Sequence, residues 1–169
     1  MKKAVAILST VVFLMLVFAS VAFAAPATTP PVRNLNEVEP DNSITTVPVG
    51  NQGWIWYDAW YGRVASSGDI DFYKYSNYTA LHPLPTWVAF ELDYPSQYDY
   101  TMTFYNSAGQ QIPGSTSTQS GLAYRSFQLS SSLEPDGVVY VKVFSPSGTY
   151  SNADNYMLGS FYGQWEKKK

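Results

Sequence analysis

The 169-residue chain has no cysteine and one histidine, His82. The first absence excludes disulfides, cysteine nucleophiles and thiolate zinc sites. The second leaves too few imidazoles for an ordinary zinc centre. It also forces any Ser-His-Asp relay through His82, in the proline-bounded run Leu81-His82-Pro83-Leu84-Pro85. Charge is sparse as well: 14% of residues are Asp, Glu, Lys or Arg, and the formal net charge is −3. A chain this poor in basic residues does not suit nucleic acid, whose phosphates need a cationic surface. No Gly-x-Ser-x-Gly, His-Glu-x-x-His or phosphate-loop pattern occurs. No internal repeat occurs either, which argues against propellers and solenoids.

The longest hydrophobic run is at the start. Lys2 and Lys3 precede an apolar stretch from Ala4 to Phe18, and Ala22-Phe23-Ala24 supplies small residues around a cleavage point. This pattern predicts a signal peptide over 1–24, a secreted product and no membrane association after cleavage. Loss of Lys2 and Lys3 takes the formal charge from −3 to −5. Residues 25–35 are rich in proline and threonine and read as a linker. Lys167, Lys168 and Lys169 end a basic tail over 164–169.

Between these ends the signals are β. Asp71 to Tyr78 alternates, with Phe72 and Lys74 on one side and Tyr73 and Tyr75 on the other. Tyr100, Met102 and Phe104 alternate with Thr101 and Thr103. Trp54–Tyr57, Tyr61–Ala65, Trp87–Leu92, Tyr124–Leu129, Val138–Phe144 and Tyr156–Tyr162 are further short apolar or aromatic runs. Asn106–Gly109, Glu134–Gly137 and Ser145–Gly148 have turn chemistry, and Gly109–Gly121 reads as a polar loop. Short strands between turns predict an all-β, antiparallel β-sandwich, jelly-roll-like and single-domain over 36–163. A chain of this length can bury a sufficient core without disulfides.

Two acidic runs stand out. In Glu37-Val38-Glu39-Pro40-Asp41-Asn42, three carboxylates fall at alternate positions and Pro40 opposes helix, so an extended chain would send all three to one face. Gly68-Asp69-Ile70-Asp71-Phe72-Tyr73 repeats the spacing with Asp69 and Asp71. Carboxylates so placed repel unless a cation sits among them, and a hard oxygen-seeking ion such as calcium is the natural one. The spacing is not that of an EF-hand loop.

Glu-x-Glu-Pro followed by Gly-Asp-x-Asp-aromatic-Tyr resembles the bacterial pre-peptidase C-terminal domain, a β-sandwich family that includes the collagen-binding domains of clostridial collagenases. The resemblance runs from Asn36 to about Tyr162, with later echoes at Phe104–Gly109, Gly137–Val143 and Asn155–Leu158. It implies calcium ligation by Glu37, Glu39, Asp41, Asn42 and Asp71, with Asp69 and Ser67 matching less closely because loop length varies there. The family's usual order after the proline is Asn then Asp or Asn. Here it is Asp41 then Asn42, which preserves the oxygen count but moves the charge.

Aromatic residues make up 17% of the chain, and Trp54, Trp56, Tyr57, Trp60 and Tyr61 crowd one short stretch. Alternation forbids all of them one core, so the cluster reads either as an aromatic-rich core or as a contact surface. Trp54, Trp56, Trp60 and Tyr61 are the expected ligand-contacting residues. Glu91 and Asp93 could form a glycosidase pair, but their place at the end of an apparent strand reads better as an outward-facing edge. The chain is therefore expected to be a secreted, non-catalytic binding or accessory module. Its expected partner is an extracellular protein, a polysaccharide polymer or a secreted protease. A carbohydrate-binding module, a self-associating envelope protein and a small hydrolase are the alternatives.

Overall fold

The computed structural model describes residues 33–77, 82–130 and 137–162. The expected signal peptide, most of the expected linker and the basic tail lie outside the described residues. Ten strands, β1 (Arg33–Asn36), β2 (Gln52–Trp54), β3 (Asp58–Gly62), β4 (Ile70–Ser76), β5 (Thr86–Asp93), β6 (Thr101–Tyr105), β7 (Ser117–Gln119), β8 (Leu122–Leu129), β9 (Val138–Phe144) and β10 (Tyr156–Tyr162), form the fold, and no α-helix occurs among the described residues. They make a sandwich of a six-stranded sheet, ordered β1-β3-β10-β5-β8-β7, and a four-stranded sheet, ordered β2-β4-β9-β6.

Period-two patterning sets the two faces of each strand. In β9, Val139, Val141 and Val143 are fully buried while Tyr140, Lys142 and Phe144 alternate with them on the outer side. β5 buries Val88, Phe90 and Leu92, and β10 buries Tyr156 and Leu158. The core between the sheets is strongly aromatic: Trp60 meets Tyr75 edge-on at 4.9 Å, Tyr75 meets Phe90 at 5.1 Å, and Phe90 meets Phe104 at 5.0 Å. Burial of each such ring contributes about 1.5–3 kcal/mol. The Asn106–Gly109 turn forms as its residues suggest, with the Gly109 amide donating to the Asn106 carbonyl at 2.9 Å and Gly109 at φ 74°.

Four local expectations need correction. Residues 33–35, expected as the end of the linker, belong to strand β1: it lies parallel to β3, and the Arg33 guanidinium grips the buried Asp58 carboxylate through Nε at 2.7 Å and Nη2 at 2.8 Å. β2 likewise lies parallel to β4, so each antiparallel sheet carries one parallel edge strand and is mixed. The Gly109–Gly121 stretch contains the short polar edge strand β7, and the chain turns after Trp54 rather than continuing as a strand to Tyr57.

Asp58 ties the two edge strands together, because its Oδ2 also accepts the Trp54 amide at 2.7 Å. Asp58→Ala is expected to destabilise the domain by about 1–3 kcal/mol, read by urea unfolding.

Candidate metal centre

The acidic loop is held in place by backbone and amide contacts. After β1 the Glu37 amide still donates to the Tyr61 carbonyl at 3.0 Å, which keeps the chain against β3 for one more residue. Asn51, fully buried, then clamps the loop from inside. Its Oδ1 accepts the Val38 amide at 2.7 Å, and its Nδ2 donates to the Val38 carbonyl at 3.2 Å and to Asp41 Oδ2 at 2.7 Å. The Phe72 amide donates to the Asp41 carbonyl at 3.2 Å, laying the loop on the start of β4. On the other side, Asp69 Oδ2 accepts the Ala65 amide at 2.6 Å and Asn42 Oδ1 accepts the Ile70 amide at 3.2 Å.

These contacts bring five carboxylates together in two overlapping groups. Glu37, Asp41 and Asp71 form one; Glu39, Asp69 and Asp71 form the other; within each, the ligand oxygens lie within 4.8 Å of one another. The convergence does not come from one straight extended segment, because β1 stops at Asn36 and Glu37–Asn42 is loop. Asn42 buttresses the turn through Ile70.

Asp41 and Asp71 are both 0% exposed, and each keeps one oxygen, Oδ1, with no hydrogen-bond donor among the described residues. A buried carboxylate oxygen with no partner is costly. The remaining oxygens meet a pair of buried tyrosines. The Tyr73 hydroxyl donates to Glu37 Oε2 at 2.9 Å, the Tyr156 hydroxyl bonds Asp71 Oδ2 closely, and the two hydroxyls lie 2.7 Å apart. Glu37 Oε1 accepts the Arg63 amide at 2.7 Å.

Electrostatics follows from this crowding. Burial first, then the neighbouring Glu39 and Glu37 charges, push Asp41 up to about 8. Burial and the Glu37 charge push Asp71 up to about 9. Glu37 is also raised, mainly by burial. Tyr73 and Tyr156 are held well above the usual phenol range by burial, with nearby acidic groups adding to it. The protein by itself therefore favours protonated carboxyls here at neutral pH. A divalent cation would supply the missing positive charge and take up the two bare oxygens. The donor set is entirely oxygen, from carboxylates with amide carbonyls nearby, so it fits a hard ion such as calcium and not zinc.

The aromatic cluster divides. Trp54 and Tyr61 are exposed, and Trp56 is half-buried in a turn. Trp60 is not a contact residue. The alternation of β3 sends it inward to 0% exposure, where its Nε1 donates to the Gly50 carbonyl at 2.9 Å. Glu91 and Asp93 face outward, but on β5, an interior strand of the sheet rather than its edge. Asn51, Tyr73 and Tyr156 belong to the acidic centre and were not foreseen there. Tyr73 and Tyr156 fall in short strand-like runs far apart in sequence, and only long-range pairing brings them to the carboxylates. No protein-family model matches the chain, and no curated protein matches it.

Gly62 faces the same centre. A Cβ there would collide with Glu37 Oε2 and with the Tyr73 and Tyr156 hydroxyls. Gly62→Ala is expected to cost about 1–3 kcal/mol in stability through overpacking, and to weaken any cation binding at the same time. Unfolding curves with and without calcium would read both effects. A second expectation concerns pH. Asp41 and Asp71 have folded pKa values above their unfolded ones, so the metal-free native state binds more protons than the unfolded chain. The stability these two groups contribute in chelator is therefore fully present below the ordinary Asp range near 3.8 and is lost as pH rises towards 8–9. Melting temperatures in chelator should fall steadily from pH 5 to pH 9, and saturating calcium should flatten that slope.

Proposed function

We propose that this chain is a secreted, non-catalytic binding or accessory module of the pre-peptidase C-terminal kind, in which calcium joins the loop after β1 to the start of β4. The observation that carries the reading is the meeting of Glu37, Glu39 and Asp41 with Asp69 and Asp71, where two buried oxygens have no described donor. The same two stretches carry the motif resemblance, and the sandwich is the fold that the resemblance implies. Use of the chain's one imidazole in packing favours a non-catalytic role: His82 stacks on Tyr162 at 3.5 Å and lies beside Trp56.

Calcium in this role orders a segment without creating the fold. Extracellular calcium modules bind with dissociation constants of about 10⁻⁴–10⁻³ M. At one to ten times that concentration the linkage contributes about 0.4–1.4 kcal/mol. The partner of the module is an extracellular protein or polymer, or a secreted protease served in trans.

Calorimetric titration with calcium should give saturable heat at one site, and melting should shift upward with calcium and return with chelator. Asp71→Asn should remove the heat yet raise the melting temperature of the chelated protein at pH 8, because it removes the cost of holding a buried carboxyl protonated well above the ordinary Asp range. Absence of heat in the native protein, or a destabilised chelated Asp71→Asn variant, would remove calcium from the account.

A further inference from the structure

The outer face of the six-stranded sheet carries two neighbouring hollows of similar lining. The first, about 270 Å³, is bordered by Asn34, Trp56, Ala59, Glu91, Gly159 and Phe161. The second is bordered by Tyr61, Asp93, Tyr94, Pro95 and Asn155, and Met157 lines both. Strand register explains their relation. Asn34 pairs with Ala59 and Gly159 with Glu91, placing these residues in one cross-strand row; Asn36 pairs with Tyr61, Tyr61 with Met157 and Met157 with Asp93 in the next outward-facing row. The two rows are two residues apart along the strands, about 7 Å.

The first hollow exists because the sheet lacks side-chain bulk there. Ala59 is small, and a Cβ built on Gly159 would meet nothing within 4 Å. Trp56 borders it from an unusual backbone, at φ 78°, with its amide donating to Ser160 Oγ at 3.1 Å. Left-handed backbone is rare for a bulky side chain, and such outliers cluster at ligand sites. Each hollow combines aromatic rings, one carboxamide and one outward-facing carboxylate; the first is also lined by Asp58, whose oxygens are already taken by Arg33 and the Trp54 amide. The Glu91, Asp93, Asn34 and Asn155 side chains make no hydrogen bond to another described residue. Partial burial raises both carboxyls, so each has already lost part of its water.

We infer that these paired hollows bind successive rings of a neutral glycan. The donor and acceptor balance favours sugar over a basic peptide. A carboxylate only accepts and a carboxamide both accepts and donates, so their combination suits hydroxyl groups, which do both; lysine and arginine heads have no acceptor to offer the amide. Aromatic rings beside them supply apolar faces for the C–H side of a pyranose. Two like subsites in register suit a polymer of repeated rings, and the two carboxylates disfavour an acidic glycan. The inference narrows the partner of the module proposed above and does not depend on its cation.

The test is a tryptophan-fluorescence titration of the native protein with neutral hexasaccharides of glucose, N-acetylglucosamine, xylose and mannose, and with an extended peptide of alternating lysine and threonine. At least one hexasaccharide should bind. Gly159→Val fills the first hollow at a position where a side chain has room and a strand accepts it. That variant should keep the native melting temperature and lose at least about tenfold in glycan affinity; Glu91→Gln should lose about tenfold. Lys74→Gln, on the outer side of the four-stranded sheet, should bind as the native protein does. Binding of none of the four glycans, binding of the basic peptide alone, or glycan affinity unchanged in Gly159→Val would overturn the inference. Failure here with calcium heat intact removes only the glycan face. Glycan binding without calcium heat removes only the metal centre.

Discussion

Asp41 and Asp71 are fully buried within reach of three further carboxylates, and each keeps an oxygen that no described donor meets. Like charges taken out of water at one place must be protonated, paired or bridged. Much of the surrounding structure serves that need. Asn51 is buried to hold the loop and one Asp41 oxygen; Tyr73 and Tyr156 reach from core positions in two different sheets to place hydroxyls on Glu37 and Asp71; Gly62 stays bare so that all three groups can approach. The two sheets are thereby joined by a polar knot at one end as well as by the aromatic core between them.

The aromatic surplus has two separate uses. Trp60, Tyr73, Tyr75, Phe90 and Phe104 build the core, where edge-to-face and tilted contacts near 5 Å fill the space between sheets without any disulfide. Trp54, Tyr61 and Trp87 stay exposed, and Trp56 packs at a rim with His82 and Tyr162. Arg125 shows how a buried cation is accommodated by the same ring system. It lies over Phe104 and Phe127, and its Nη2 donates to the Ile112 and Pro113 carbonyls, pinning the loop before β7.

Most of the sandwich was legible because its central strands follow strict alternation. Val138–Phe144 and Tyr156–Tyr162 are strands over the expected residues, and Tyr73 and Tyr75 share one face as their spacing requires, the buried one. The edge strands were not legible. Arg33-Asn34-Leu35-Asn36 and Ser117-Thr118-Gln119 have no apolar period, and what makes them strands is pairing with a neighbour distant in sequence, helped at β1 by Asp58. Trp60 was misplaced because the turn after Trp54 resets the alternation, which a continuous reading of the run does not anticipate. The two acidic stretches were visible as carboxylate patterns, but the hydroxyls and amide that complete their surroundings come from β4, β10 and a loop, and no local spacing records that.

Register also fixes how the domain would carry tension. Arg33 is level with Asp58, while Tyr156 is level with Gly62 at the opposite end of β3; β10 therefore runs back so that Arg33 and Tyr162 leave from the same end of the sandwich. A pull applied through these two points peels rungs one at a time instead of shearing a whole ladder at once. Glu37, Gly62 and Tyr156 lie at the far end, so the rungs nearest the pull part first and the acidic knot is the last fastening to let go.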